Sequence, residues 1–304
     1  MPNSRPTFDW KVHLSQIFVQ ISFGGFHVAG KSILSHMPPL ALGCARVIGA
    51  TPLLLLLAFL IDRRLPEKRD LPRLALLGFL GVFANQVLFI FGLKFTTATN
   101  AGILMPSIPI FAVAAGALLG VERLDRRRIL GIALAVAGAL VMLDPMRFQQ
   151  NGRTLLGNVL LLANCLAYGI FLVLQRPMLK RLPPLTVIAW SFFFGAIGVL
   201  LVGMRDFRAV DWADLPGVVH AQLAYIVIVP TAINYALNSW SVQRSSPSLV
   251  ATYTTLQPLT AASLAAFFLH ERLSPNGAFG FLLIVAGLIA VTRADRPEGG
   301  SAPR

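Results

Sequence analysis

A chain of 304 residues with 56% hydrophobic and only 13% charged residues, and a mean hydropathy of +0.70, cannot cover a surface that faces water. That excludes a pair of soluble domains and makes the lipid bilayer the solvent. The net charge of +13 would suit nucleic acid if the basic residues were gathered in one patch, but they are spread through the connecting segments.

Ten apolar stretches follow one another at about 14–34, 39–61, 74–94, 98–119, 126–144, 154–174, 185–204, 219–240, 247–269 and 276–292. Each approaches the roughly 20 residues that cross a hydrocarbon layer of ~30 Å. None alternates as a barrel strand would, so all are expected as helices. The opening MPNSRPTFDWKVHLSQIF has no clear small-residue cleavage site and leads into a long, Gly-broken apolar segment. We therefore expect a permanent first helix rather than a signal peptide.

The first span carries Gln20, Ser22, His27 and Lys31, with His27 and Lys31 on one face. The second carries Arg46, about 10 Å from its outer start at ~1.5 Å per residue. These basic groups either form a positive vestibule that attracts a carboxylate or snorkel to the interface. Asn85 and Gln86 lie in the third span, and Pro106 and Pro109 in the fourth, where proline either bends the helix for gating or shapes its packing. Gly131, Ala135 and Ala139 form a small-residue stripe on the fifth, which predicts close helix packing.

Asn164 and Tyr168 fall on the sixth span, and Asn234, Tyr235, Asn238 and Trp240 on the eighth. Trp240, near a helix end, suits an interfacial belt. Tyr253, Gln257 and Pro258 fall on the ninth. Cys44 and Cys165 sit inside spans and are expected as free thiols.

The connecting segments orient the chain. With the N-terminus inside, successive inner segments carry two, five, four, three, one and three Lys or Arg, 18 in all against six outside. The positive-inside rule then places both termini in the cytoplasm, and the localisation expected is the bacterial inner membrane.

The chain is also written twice. Shifting by 149 residues lays Asn85 on Asn234, Pro109 on Pro258, Glu122-Arg123-Leu124 on Glu271-Arg272-Leu273, Gly131 on Gly280 and Val136-Ala137-Gly138 on Val285-Ala286-Gly287. Near the start of each half, a shift of 145 lays Pro38-Pro39-Leu40 on Pro183-Pro184-Leu185 and Gly24 on Gly169. Five spans per half is an odd number, so the second half, 146–304, enters from the face opposite to the first, 1–145. The expected fold class is an all-α integral membrane protein of ten transmembrane helices in two inverted five-helix repeats. Transporters recurrently use this plan, with substrate held between the halves. The repeated Glu-Arg-Leu falls at turns between spans, where it is expected to cap helix ends, make surface pairs or gate.

With these motifs in place, the chain resembles the drug/metabolite transporter superfamily, EamA type, over nearly its whole length. Within that superfamily it is similar to the YddG-type amino-acid exporters. The resemblance implies alternating access and a central cavity lined by helices 1, 3, 4, 6, 8 and 9, with helices 5 and 10 to the side.

All 13 acidic residues fall in loops, tails or helix ends, which disfavours a proton-coupled or cationic-drug pump dependent on an intramembrane carboxylate. Asn85 and Asn234, near their helix centres, are either donors and acceptors flanking a substrate or bonds between helices. The candidate substrate contacts are Asn85, Asn234, Gln20, His27, Gln86, Tyr168, Asn164, Tyr235, Asn238, Tyr253 and Gln257, and the candidate hinges are Pro106, Pro109 and Pro258.

The expected function is transport of small carboxylate-bearing metabolites, foremost the export of amino acids, bulky apolar and aromatic ones included, by facilitated diffusion. The alternatives are an anionic-metabolite or sugar-phosphate exchanger and a proton-coupled drug exporter. No His-x-x-x-His spacing and no Gly-x-Ser-x-Gly occurs, so an intramembrane enzyme is disfavoured. No cofactor, no metal and no nucleic acid is expected; the partners are the bilayer and a small molecule, in a monomer or weak homodimer.

Overall fold

The computed structural model describes residues 9–96, 100, 104–122, 125–143, 152–257, 260 and 275–295, without the side chains at 27, 28, 31, 142, 143, 153, 275–278 and 295. The helices fall in ten segments: α1 (Trp10–Ile33), α2 (Pro39–Asp62), α3 (Lys68–Phe95), α4 (Met105–Leu118), α5 (Arg126–Leu143), α6 (Gly152–Leu179), α7 (Pro184–Arg208), α8 (Gly217–Arg244), α9 (Pro247–Tyr253 with the turn Thr254–Leu256) and α10 (Pro275–Asp295). No strand occurs among the described residues. Helix is the only open structure that satisfies every backbone amide within one segment in hydrocarbon, and α2, α3, α6, α7 and α8 are long and apolar enough to cross it.

Several helices overrun the apolar windows of the sequence. Asp9 caps α1 by accepting from the Lys11 amide at 3.0 Å, so this helix starts at Trp10 rather than near residue 14. Helices α6 and α7 continue through basic residues to Leu179 and Arg208. Hydropathy detects only the lipid-facing stretch, whereas the backbone stays helical into the headgroup region. Pro39 and Pro184 occupy symmetry-related first-turn positions, where their missing N–H costs nothing.

The packing repeats in inverted form. Helix α2 lies along α7, α4 against α9 and α5 against α10, so each pairs with its own counterpart. The remaining contacts exchange: α1 packs on α8 as α6 packs on α3, and α2 packs on α8 as α7 packs on α3. The α5–α10 pair makes the close approach predicted from small residues. A Cβ on Gly131 would come within 2.9 Å of the Gly287 carbonyl oxygen, and one on Gly138 within 2.6 Å of that of Gly280. Ala135 and Ala139 are fully buried in the same seam.

The main apolar core lies where α2, α3, α6 and α7 meet, around Phe171, Phe192, Leu74 and Leu77. Polar side chains gather instead where α1, α3, α6, α8 and α9 converge.

Candidate functional site

Two helix irregularities mark the centre. A π turn, Phe79–Ala84, interrupts α3 and ends at Asn85; another, Val227–Ile233, interrupts α8 and ends at Asn234. They are symmetry-related, and so are Gly81 and Pro230 within them. A π turn widens the helix and redirects carbonyl groups, which is why it recurs at functional positions. In α8, the Thr231 hydroxyl donates to the Ile226 carbonyl at 2.7 Å. In α3, the opened turn receives Tyr235 of α8, whose hydroxyl lies 3.4 Å from both the Gly81 carbonyl and Asn85 Oδ1. Tyr235 thus ties the second half to the middle of the first.

Arg46 of α2 points into this region. Its Nε donates to Thr231 Oγ1 at 3.0 Å, and Thr231 is fully buried at the middle of α8. The guanidinium also lies against the Tyr235 hydroxyl and 5.0 Å from the centre of the Phe26 ring. No described carboxylate is within ion-pairing distance of it. The described acidic side chains sit at helix ends and turns, among them Asp62, Asp70, Glu122, Asp206 and Asp211.

A polar ladder runs from here towards the N-terminal end of α1. Gln16 donates to Asn238 at 3.0 Å, and Asn238 donates to the Tyr168 hydroxyl at 3.1 Å, joining α1, α8 and α6. The Ser15 and Ser241 hydroxyls are 2.9 Å apart, and His13 Nδ1 is 2.6 Å from the Tyr253 hydroxyl. Gln257 donates to Gln20 at 3.1 Å, joining α9 to α1. Tyr168, Tyr253, Asn238, Asn164 and Gln20 are all buried.

The two central asparagines differ. Asn234 is fully buried; it accepts from Ser22 at 2.8 Å and donates to the Val19 carbonyl at 3.3 Å, bonding α8 to α1. Asn85 is only half-buried. Its side-chain oxygen accepts from Tyr235, its backbone carbonyl accepts from Asn164, and its amide nitrogen meets no acceptor among the described residues. Gln86 donates to the Gly43 carbonyl at 2.9 Å, bonding α3 to α2.

Pro106 lies in the 3₁₀ turn Met105–Ser107 and Pro109 in the first turn of the α-helix after it, at positions that cost no intrahelical bond, rather than at a break within a continuous described helix. The side chains of His27 and Lys31, the whole of Pro258, and Glu271-Arg272 lie outside the described residues. Cys44 and Cys165 are buried free thiols, and Arg244 stacks over Trp240, 4.5 Å from its ring centre.

Glu122 is a buried cap rather than a surface pair. It accepts from the Ser248 amide at 3.2 Å and from the Ser248 hydroxyl at the start of α9, and pairs with Arg128 at 3.4 Å. Sequence reasoning singled out neither Thr231 nor His13, Ser15 and Gln16. A signal was available: His13, Gln16 and Gln20 recur at helical spacing on one face of an apolar segment.

These features meet a consistent set of likenesses. The EamA-like transporter family model matches twice, at residues 10–144 and 155–293. The chain is 30% identical to Protein WALLS ARE THIN 1 of Arabidopsis thaliana, over 95% of this chain and 84% of that one. It is 27% identical to a probable terminal-alkyne amino-acid exporter of Streptantibioticus cattleyicolor, over 90% and 87%. It is 23% identical to the uncharacterized transporter YetK of Bacillus subtilis, over 90% and 85%. A solved crystal structure superposes with a TM-score of 0.76 at 19% identity, covering 94% of this chain and 97% of that one, and so shares the fold. The chain, a multi-pass membrane protein of ten helices, belongs to the EamA-like transporter family.

Proposed function

We propose that this protein is a carrier, not an enzyme, that exports amino acids by alternating access and facilitated diffusion, bulky apolar and aromatic ones included. The observation that carries the reading is the polar interior shared by both halves: Tyr235 beside Arg46 and Asn85, and the Gln16–Asn238–Tyr168 ladder that runs from there, with no described carboxylate among them. Amides and phenol hydroxyls both donate and accept, so they hold a zwitterion without a fixed partner of either sign. Tyr168, Tyr235 and Phe26 supply aromatic surface for an apolar side chain, with Phe192 packed edge-on behind Tyr235. A likeness to a probable amino-acid exporter supports the same class.

In this reading the halves 1–145 and 146–304 rock about the site. Both termini lie in the cytoplasm, as 18 inner basic residues against six outer ones favour, and the membrane is a bacterial inner membrane. The working unit is a monomer or weak homodimer that needs no cofactor. Uptake of a panel of labelled amino acids into proteoliposomes, with and without a pH gradient, tests the proposal. Equilibration without accumulation is expected. Transport of no amino acid overturns the substrate class, and accumulation driven by the gradient overturns facilitated diffusion.

A further inference from the structure

Arg46 carries a consequence beyond that reading, although it rests on it. A guanidinium within a membrane-spanning helix is costly and marks a functional position unless it snorkels to the interface. Arg46 does not snorkel. Its Nε is committed to Thr231, a fully buried residue at the middle of α8, so the charged head is turned to the interior. Thr231 is prepared as an acceptor, because its own proton is used on the Ile226 carbonyl inside the π turn. The guanidinium also lies beside the Tyr235 hydroxyl, and no described carboxylate is in range of it. Tyr235 in turn lies 3.4 Å from Asn85 Oδ1, and the Asn85 amide nitrogen has no described acceptor.

We infer that Arg46 and Asn85 together bind the carboxylate of the substrate, and that a free amino group on the substrate is dispensable. The argument is one of charge. The described side chains around Thr231, Tyr235 and Asn85 supply one fixed positive charge, that of Arg46, and no negative one. A monocarboxylate neutralises Arg46, and two parallel N–H donors match its two oxygens. The ammonium of a zwitterion finds only neutral acceptors, so it adds little to affinity and is not required. A ligand that lacks the carboxylate leaves the half-buried Arg46 within the membrane span without a counter-charge, which is the most expensive outcome. The substrate class assigned is therefore monocarboxylates with an apolar body of aromatic size, with amino acids as one subset.

The test uses the purified full-length protein and four probes of one shape: phenylalanine, phenylpropionate, phenylalaninamide and phenethylamine. Binding is measured by calorimetry at neutral pH. Phenylalanine and phenylpropionate are expected to bind within about tenfold of each other, and the amide and amine about a hundredfold more weakly. In Arg46→Gln both carboxylates weaken by about a hundredfold, and Arg46→Lys, which keeps the charge but not the fork, retains part of the affinity.

Binding of phenylalanine without phenylpropionate overturns the inference and leaves the amino-acid reading standing. Binding of phenylpropionate without phenylalanine does the reverse. Equal binding of the amide or the amine, or unchanged carboxylate affinity in a folded Arg46→Gln protein, also overturns the inference. Binding of none overturns both. If Arg46→Gln fails to fold, the four probes on the unaltered protein decide.

Discussion

Asn85 and Asn234 occupy equivalent places in the two repeats, each just after a π turn, yet one is sealed and the other open. Asn234 faces α1, where Ser22 donates to its side-chain oxygen and the Val19 carbonyl accepts from its nitrogen. Asn85 faces α6, and the residues equivalent to Ser22 and Val19, at a shift of 145, are Ala167 and Asn164. The hydroxyl that closes one site is missing from the other. The same holds for charge: Arg46 and Thr231 correspond to Ser191 and Val82, whose side chains make no such pair. Inverted repeats thus build a symmetric frame around a one-sided site. In the proposed reading, binding groups accumulate where one half has given up the polar partner that the other keeps.

The comparison can be broken most forcefully at the sealed asparagine. Asn234→Leu removes both of that residue's bonds between α1 and α8, leaving the Ser22 hydroxyl only the Val19 carbonyl of its own helix, and should cost about 1–3 kcal/mol of stability, read as a lower melting temperature of the detergent-solubilised protein. Asn85→Leu should leave the melting temperature nearly unchanged while transport per folded molecule falls about tenfold, the loss of one ligand bond. If both variants lower stability alike, the two amides are equivalent bonds between helices and the contrast fails.

Glu122→Ala removes the buried cap from the start of α9 and should cost about 1 kcal/mol, again measured by thermal unfolding. A rise in transport without loss of stability would instead make Glu122 a gate. The smallest effect is expected from Ala167→Ser, which restores the missing hydroxyl opposite Asn85. It should slow transport by a few-fold, as expected for a bond of about 1 kcal/mol that competes with the ligand, and leave stability unchanged or slightly raised. No change in transport would mean that the Asn85 side chain is not a ligand contact.

Much of the frame was legible in the residues. The ten apolar stretches, the repeated Asn85 and Asn234, and the Gly131–Ala135–Ala139 stripe all anticipate features of the described structure, because each rests on spacing along one chain. The open Asn85 was not legible, since it depends on Ser22 and Ala167 lying across two different helix contacts. The π turns were also hidden: Pro230 hints at one, but its counterpart Gly81 is an ordinary glycine in an apolar run. His13, Ser15 and Gln16 were passed over because polar residues near a helix start read as interfacial.

The residues by themselves determined the number of helices, the membrane as their solvent and the twofold plan, because hydropathy and repeat spacing are local properties that a bilayer enforces. Tertiary structure alone decided which face each polar group presents. An arginine in an apolar helix has two ways to satisfy its charge, outward to headgroups or inward to Thr231, and only the neighbouring helix selects between them.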